Sequence, residues 1–183
     1  MARVKLTPLR GWHQAPDPRN SFGTYLRHVA STSAGRQSGA AIESPPRTPL
    51  VETIELDREN SVEAKRNLAG RPGNESVTFT ISDATRRMNE LAVQGKKYGF
   101  IFIDHWHGYQ ATIDAAELAK KLRVDGGFVM FHDFLDPGNA DRRHVYGVYQ
   151  AVLDRIVDDD RFSFAGVSGC CAIFQSAEIQ NAG

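Results

Sequence analysis

Only two cysteines occur in the 183-residue chain, Cys170 and Cys171, and they are neighbours. Adjacent cysteines rarely close an ordinary disulfide, because the bridge is strained at that spacing. No further cysteine is present to build a four-thiolate zinc site. Such sparse cysteine use fits a reducing, cytoplasmic setting. There is no charge of one sign to spare: Lys plus Arg and Asp plus Glu number 22 each, and the pI is about 7.0. A nucleic-acid scaffold usually carries a basic excess, so no nucleic-acid partner is expected. No apolar run approaches the roughly 18 residues that suggest a membrane span, so no membrane partner is expected either. The first eleven residues lack the apolar core of a secretory leader.

What is present divides into two parts. Residues 1–50 hold six of the eight prolines (Pro8, Pro16, Pro18, Pro45, Pro46 and Pro49) and a small polar stretch from Ser31 to Gly39. This part reads as an atypical, loop-rich N-terminal segment. Within it, Phe22, Tyr25, Leu26 and Val29 recur at helical spacing, which predicts a helix over 21–30 with Ser21 as its cap. Residues 51–175 alternate short apolar runs with helical patterns, and 176–183 form a tail. Strands are predicted over 51–56, 77–81, 98–103 and 126–131, with a closing hairpin over 162–167 and 169–175. Helices are predicted over 60–68, 84–94, 109–122 and 145–157. Short, wholly apolar strands between helices specify an α/β domain with a mostly parallel sheet and helices on both faces.

In such sheets ligands bind beyond the carboxyl ends of the strands. Each predicted parallel strand here ends in an acid: Glu55 and Asp57, then Asp83, then Asp104, then Asp133. Glu55 stands where a carboxylate can accept hydrogen bonds from ribose hydroxyls. Asp83 precedes a helix and reads as its cap or, with the Ala84 backbone, as an adenine contact. Asp104 and Asp133 follow fully apolar strands, and a hard divalent cation would relieve the repulsion of two such carboxylates brought together. His107, three residues past Asp104, suits general-base work on a hydroxyl. His105 and Trp106 offer planar walls for a base. His132 beside Asp133 offers a further ligand but reads first as a packed side chain, and the cysteine pair as small buried hydrophobes within the last strand. His13, His28 and His144 read as surface or packing residues, and Arg142, Arg143 and His144 as a solvated basic loop.

The stretch Phe102-Ile103-Asp104-His105-Trp106-His107, followed by a helix, Gly126-Gly127, an apolar strand and Asp133, resembles the class I S-adenosylmethionine (SAM)-dependent methyltransferases. It is similar to catechol O-methyltransferase and its relatives, and to the metal-dependent sugar O-methyltransferases of macrolide biosynthesis. The resemblance covers roughly residues 51–175. It implies a Rossmann-like, seven-stranded methyltransferase fold with an antiparallel last strand. It implies SAM as cofactor, with Glu55 on the ribose and Asp83, Ala84, Asp104, His105 and Trp106 around the rest of it. It also implies Mg²⁺ on Asp104 and Asp133, His107 with Asp104 as the catalytic pair, and a small hydroxylated acceptor. Two features depart from the family pattern. No glycine-rich turn follows a first strand, although Val4–Leu6 and Ala40–Ile42 offer short candidates, and Phe134 follows Asp133 where the catechol enzymes have a third metal-binding side chain. A sheet lacking its first strand would favour completion by a homodimer. The alternatives are a catalytically silent binding or dimerisation module and a different metal-dependent enzyme, such as a hydroxylase or cyclase, on the same scaffold.

Overall fold

The computed structural model describes residues 23–28, 50–140 and 146–177. They form a seven-stranded sheet in the order β3-β2-β1-β4-β5-β7-β6. The strands are β1 (Gly23–His28), β2 (Leu50–Glu55), β3 (Val77–Ile81), β4 (Tyr98–Ile103), β5 (Arg123–Phe131), β6 (Phe162–Ser168) and β7 (Cys171–Ser176). β2 runs parallel to β3 and β4 parallel to β5, while β7 is antiparallel to both β5 and β6. Five strands therefore share one direction, and the last strand is reversed as expected. The helices are α1 (Arg58–Leu68), α2 (Ala84–Val93), α3 (Tyr109–Leu122) and α4 (Val148–Val152), the last continued by a π-helical turn over Leu153–Val157. Together these elements make a Rossmann-like α/β fold.

One expectation is overturned. Residues 23–28 are a strand, not part of a helix, and β1 lies between β2 and β4, antiparallel to each. A slot in mid-sheet leaves two rows of backbone donors and acceptors to satisfy, and pairing with both neighbours outweighs the local helical spacing. The proposed remnants at 4–6 and 40–42, the cap at Ser21, and residues 142–144 lie outside the described residues.

The core forms between one face of the sheet and helices α2, α3 and α4. Ile101 and Ile103 of β4 pair in register with Val129 and Phe131 of β5, which pair in turn with Phe174 and Ala172 of β7. All six are buried, and they join Met88, Leu91, Leu118, Leu122, Val152 and Ile156 in a single cluster. β5 begins three residues earlier than the apolar run predicts. Gly126, with φ of 72°, interrupts it, and the β4–β5 register shifts between Tyr98 and Phe100. Its neighbour Gly127 has no room for a side chain: a Cβ there would lie 2.9 Å from the Val124 carbonyl oxygen. No helix among the described residues is long and apolar enough to cross a membrane.

Candidate active site

The carboxyl ends of β2, β3 and β4 enclose a cavity of about 450 Å³. Glu55, Asp83, Ala84, His105 and Trp106 all line it. Glu55 is half-buried, and its Oε1 accepts a hydrogen bond from the Asp57 amide at 3.0 Å. Burial pushes its carboxyl above the usual range, and that amide bond partly offsets the effect. Asp83 caps α2 by accepting from the Arg86 amide at 2.8 Å, so the capping role read from the sequence is real. Asp83→Ala is expected to lower stability by about 1 kcal/mol, and Asp83→Ser to restore most of it, as measured by urea denaturation. His105 turns its Nε2 to the Ala111 carbonyl oxygen at 3.0 Å. Burial holds its pKa below the ordinary value, which keeps the ring neutral against the cavity. Trp106 is 65% exposed at the rim. Asp57 and Asn60 also line the cavity, contributed by the cap and first turn of α1; nothing in the sequence singles out Asn60.

Asp104 is not in the lining of this cavity. It belongs to an adjoining cluster at the ends of β4 and β5. The His132 amide donates to the Ile103 carbonyl at 2.9 Å, which extends the pairing of the two strands and sets their acids side by side. Asp104 and Asp133 are only 4% and 7% exposed. His107 Nε2 lies 3.4 Å from Asp104 Oδ1 and 3.1 Å from Asp133 Oδ2. His132 Nδ1 lies 3.2 Å from Asp104 Oδ1 and 2.9 Å from Asp133 Oδ1. Two acids and two imidazoles thus interleave. Burial alone would push the Asp104 carboxyl up, but the close approach and charge of His107 and His132 hold it below the usual range. The Asp104 contact, followed by the charge of Asp133, raises His132 despite its burial.

Several supports hold this cluster in place. Asp133 adopts φ of 56°, a region few non-glycine residues enter. The Asn139 amide group donates to its carbonyl at 2.7 Å. The Tyr146 hydroxyl donates to Asp133 Oδ2 at 2.8 Å, and the Tyr146 ring stacks on His107 with centroids 4.9 Å apart. Burial and the Asp133 charge raise the Tyr146 pKa, so the hydroxyl keeps its proton and donates. Gly147 makes this approach feasible. Its amide donates to the His107 carbonyl at 2.9 Å, and a Cβ at this position would lie 2.5 Å from the Tyr109 Cβ.

The donor set suits a divalent cation. Asp104 Oδ1 and His132 Nδ1 are buried yet lack a hydrogen bond of good geometry, and Asp104, His107 and His132 offer ligand atoms within 4.8 Å of one another. Carboxylate oxygens suit hard ions such as Mg²⁺ or Mn²⁺, and imidazole nitrogens suit transition metals such as Zn²⁺.

Two readings from the sequence need correction. His132 is not a packed side chain but a member of the cluster, and its place beside Asp133 at a strand end was the signal for it. Cys170 is not within the last strand. It sits half-buried in the turn before β7, with its Sγ 3.4 Å from both His132 Nε2 and Asp133 Oδ1. Cys171 is buried in β7 as expected. Tyr146 carried no signal, because a loop rather than a strand end brings it to Asp133.

No protein-family model matches the chain, and no curated protein does. Solved structures do. The chain is similar to the O-methyltransferase TomG from Streptomyces achromogenes, solved with SAM (17% identity, TM-score 0.56, 69% of this chain and 61% of that one). It is similar to an O-methyltransferase from Bacillus cereus solved with SAH (18%, TM-score 0.57, 69% and 62%). A third is a putative caffeoyl-CoA O-methyltransferase from Staphylococcus aureus (22%, TM-score 0.53, 69% and 64%). The chain thus spans less than two thirds of the length of each. At these identities the likeness speaks to architecture, and the described chain has the Rossmann-like fold of the SAM-dependent O-methyltransferases.

Proposed function

We propose that the chain binds SAM in the cavity at the ends of β2, β3 and β4 and transfers its methyl group to a hydroxyl of a small molecule. One observation carries this reading: the segment after β4 serves both halves of the site at once. Asp104 and His107 join the acid–histidine cluster, while His105 and Trp106 between them line the cavity. A cofactor held by the cavity would therefore have its reacting end close to groups able to handle a proton. Three relatives in fold are named O-methyltransferases, two of them solved with SAM or SAH.

In this reading Glu55 accepts hydrogen bonds from the ribose hydroxyls, and His105, Trp106, Asp83 and the Ala84 backbone surround the adenine. Asp104 and Asp133 would hold a divalent cation, Mg²⁺ being the expected one, which when bound would lower the pKa of the acceptor hydroxyl. His107 Nε2 takes the hydroxyl proton. The oxygen attacks the methyl carbon in line, the carbon–sulfur bond breaks, and its electron pair stays on sulfur. Much of the rate would come from holding the two reacting centres together.

Calorimetric titration of SAM into the purified chain, with and without Mg²⁺, tests the reading. Binding is expected in the micromolar range, and Glu55→Ala is expected to weaken it about 10- to 100-fold, the worth of hydrogen bonds to a charged acceptor. The reversed β1 favours one rival, a silent module with the same sheet. His28, its last residue, pairs with Leu50 at the start of β2, so β1 ends at the sheet edge opposite the cavity. A family glycine turn would have to leave from the cavity edge. No heat of binding in either condition would sink the methyltransferase reading and leave that module.

A further inference from the structure

We propose that His132, Cys170 and Cys171 form a binding site for a thiophilic divalent cation, Zn²⁺, which shares the His132 ring with the acid–histidine cluster but uses its other nitrogen. The inference goes beyond methyl transfer and stands without it. The ligand atoms of these three residues lie within 4.8 Å of one another. Cys170 Sγ stands 3.4 Å from His132 Nε2. Tetrahedral zinc, with Zn–S near 2.3 Å and Zn–N near 2.05 Å, separates two such ligands by about 3.6 Å. The pair is thus already near its bound spacing.

The histidine is also set up as zinc-binding histidines are. Such rings usually present one nitrogen to the metal and direct the other at a carboxylate, which fixes tautomer and orientation. Here Nδ1 lies 2.9 Å from Asp133 Oδ1 and 3.2 Å from Asp104 Oδ1, near both carboxylates though short of a well-aligned hydrogen bond to either, and Nε2 is left toward the Cys170 thiol. The turn is held in place as well. The Leu135 amide donates to the Cys170 carbonyl at 2.9 Å, which ties the segment after Asp133 to the β6–β7 hairpin. Gly169, with φ of 59°, occupies the first turn position, where a tight hairpin needs glycine. His132 is 31% exposed at its side chain, so an ion has a way in. On binding, both thiols give their protons to solvent as the two Zn–S bonds form. Solvent fills the fourth position, since three protein ligands leave one open.

The test uses Co²⁺ as the spectroscopic substitute for Zn²⁺, titrated into the metal-free full chain. One equivalent is expected to produce a thiolate-to-metal charge-transfer band that Zn²⁺ removes and excess Mg²⁺ does not. Cys170→Ser is expected to remove about half the band and, like His132→Gln, to weaken binding about tenfold or more. Cys170 lies in a turn, so its substitution leaves the core intact even where Cys171→Ala, in the buried strand, fails to fold. No band at one equivalent, a band unchanged in Cys170→Ser, or a band abolished by Mg²⁺ would each overturn the proposal.

Discussion

Replacing His107 with alanine is expected to lower methyl-transfer turnover by about 10²- to 10⁴-fold, the usual worth of a positioned general base. Affinity for SAM should stay at the wild-type value, because His107 does not line the cavity that would hold it. The split matters, since His107 also has structural contacts. Its ring stacks on Tyr146, and its Nε2 reaches both buried carboxylates. His107→Gln separates the roles: it keeps a polar group for the carboxylates but supplies no base. If chemistry is the role, both variants lose turnover alike while calorimetry still reports SAM binding. If glutamine restores turnover, His107 only organises the carboxylates and the base lies elsewhere.

The second large effect concerns the core. Phe174→Ala is expected to destabilise the chain by about 3–5 kcal/mol, read from the midpoint and slope of a urea melt. Phe174 is 2% exposed and meets three other rings edge-on: Phe131 at 6.3 Å, Phe134 at 6.2 Å and Phe164 at 5.7 Å. No neighbour can fill a hole of that size, because Phe131 is itself fully buried in the next strand. Phe174→Leu keeps most of the volume and should cost well under half as much. Phe134 directly follows Asp133, so the alanine variant should also loosen the site before the sheet melts. An alanine variant within about 1 kcal/mol of the parent would mean that the β5–β7 half of the core is far more adaptable than its packing suggests.

Much of this architecture is legible in the chain because its causes are local. The run Tyr98–Ile103 is wholly apolar and bounded by Lys97 and Asp104, and β4 begins and ends where that run does. Tyr109–Leu122 shows a helical stripe, and α3 buries Ile113, Ala116 and Leu118 as that stripe requires. The strand-end rule led to Glu55, Asp83, Asp104 and Asp133, because the topology of a parallel sheet carries those positions to one edge. β1 is not legible in the sequence because its determinant is remote. The spacing of Tyr25 and Leu26 suits a helix, while the unpaired sides of β2 and β4 demand a strand. Cys170 and Tyr146 escaped for a related reason: each reaches Asp133 through a turn or loop, and no periodicity marks where a loop brings its side chains.

The position of β1 has a bearing on how the fold comes apart. Among the described strands it is the sole hydrogen-bonded tie between the β3–β2 pair and the β4–β5–β7–β6 group. A fluctuation that frees it exposes two strand edges together, one on either side of the gap. The amides of β2 and β4 that face it thus share a single opening equilibrium, although about 40 residues of chain and two helices separate those strands. The sheet behaves as two panels on one seam, and the cohesion of the seam rests on a six-residue strand.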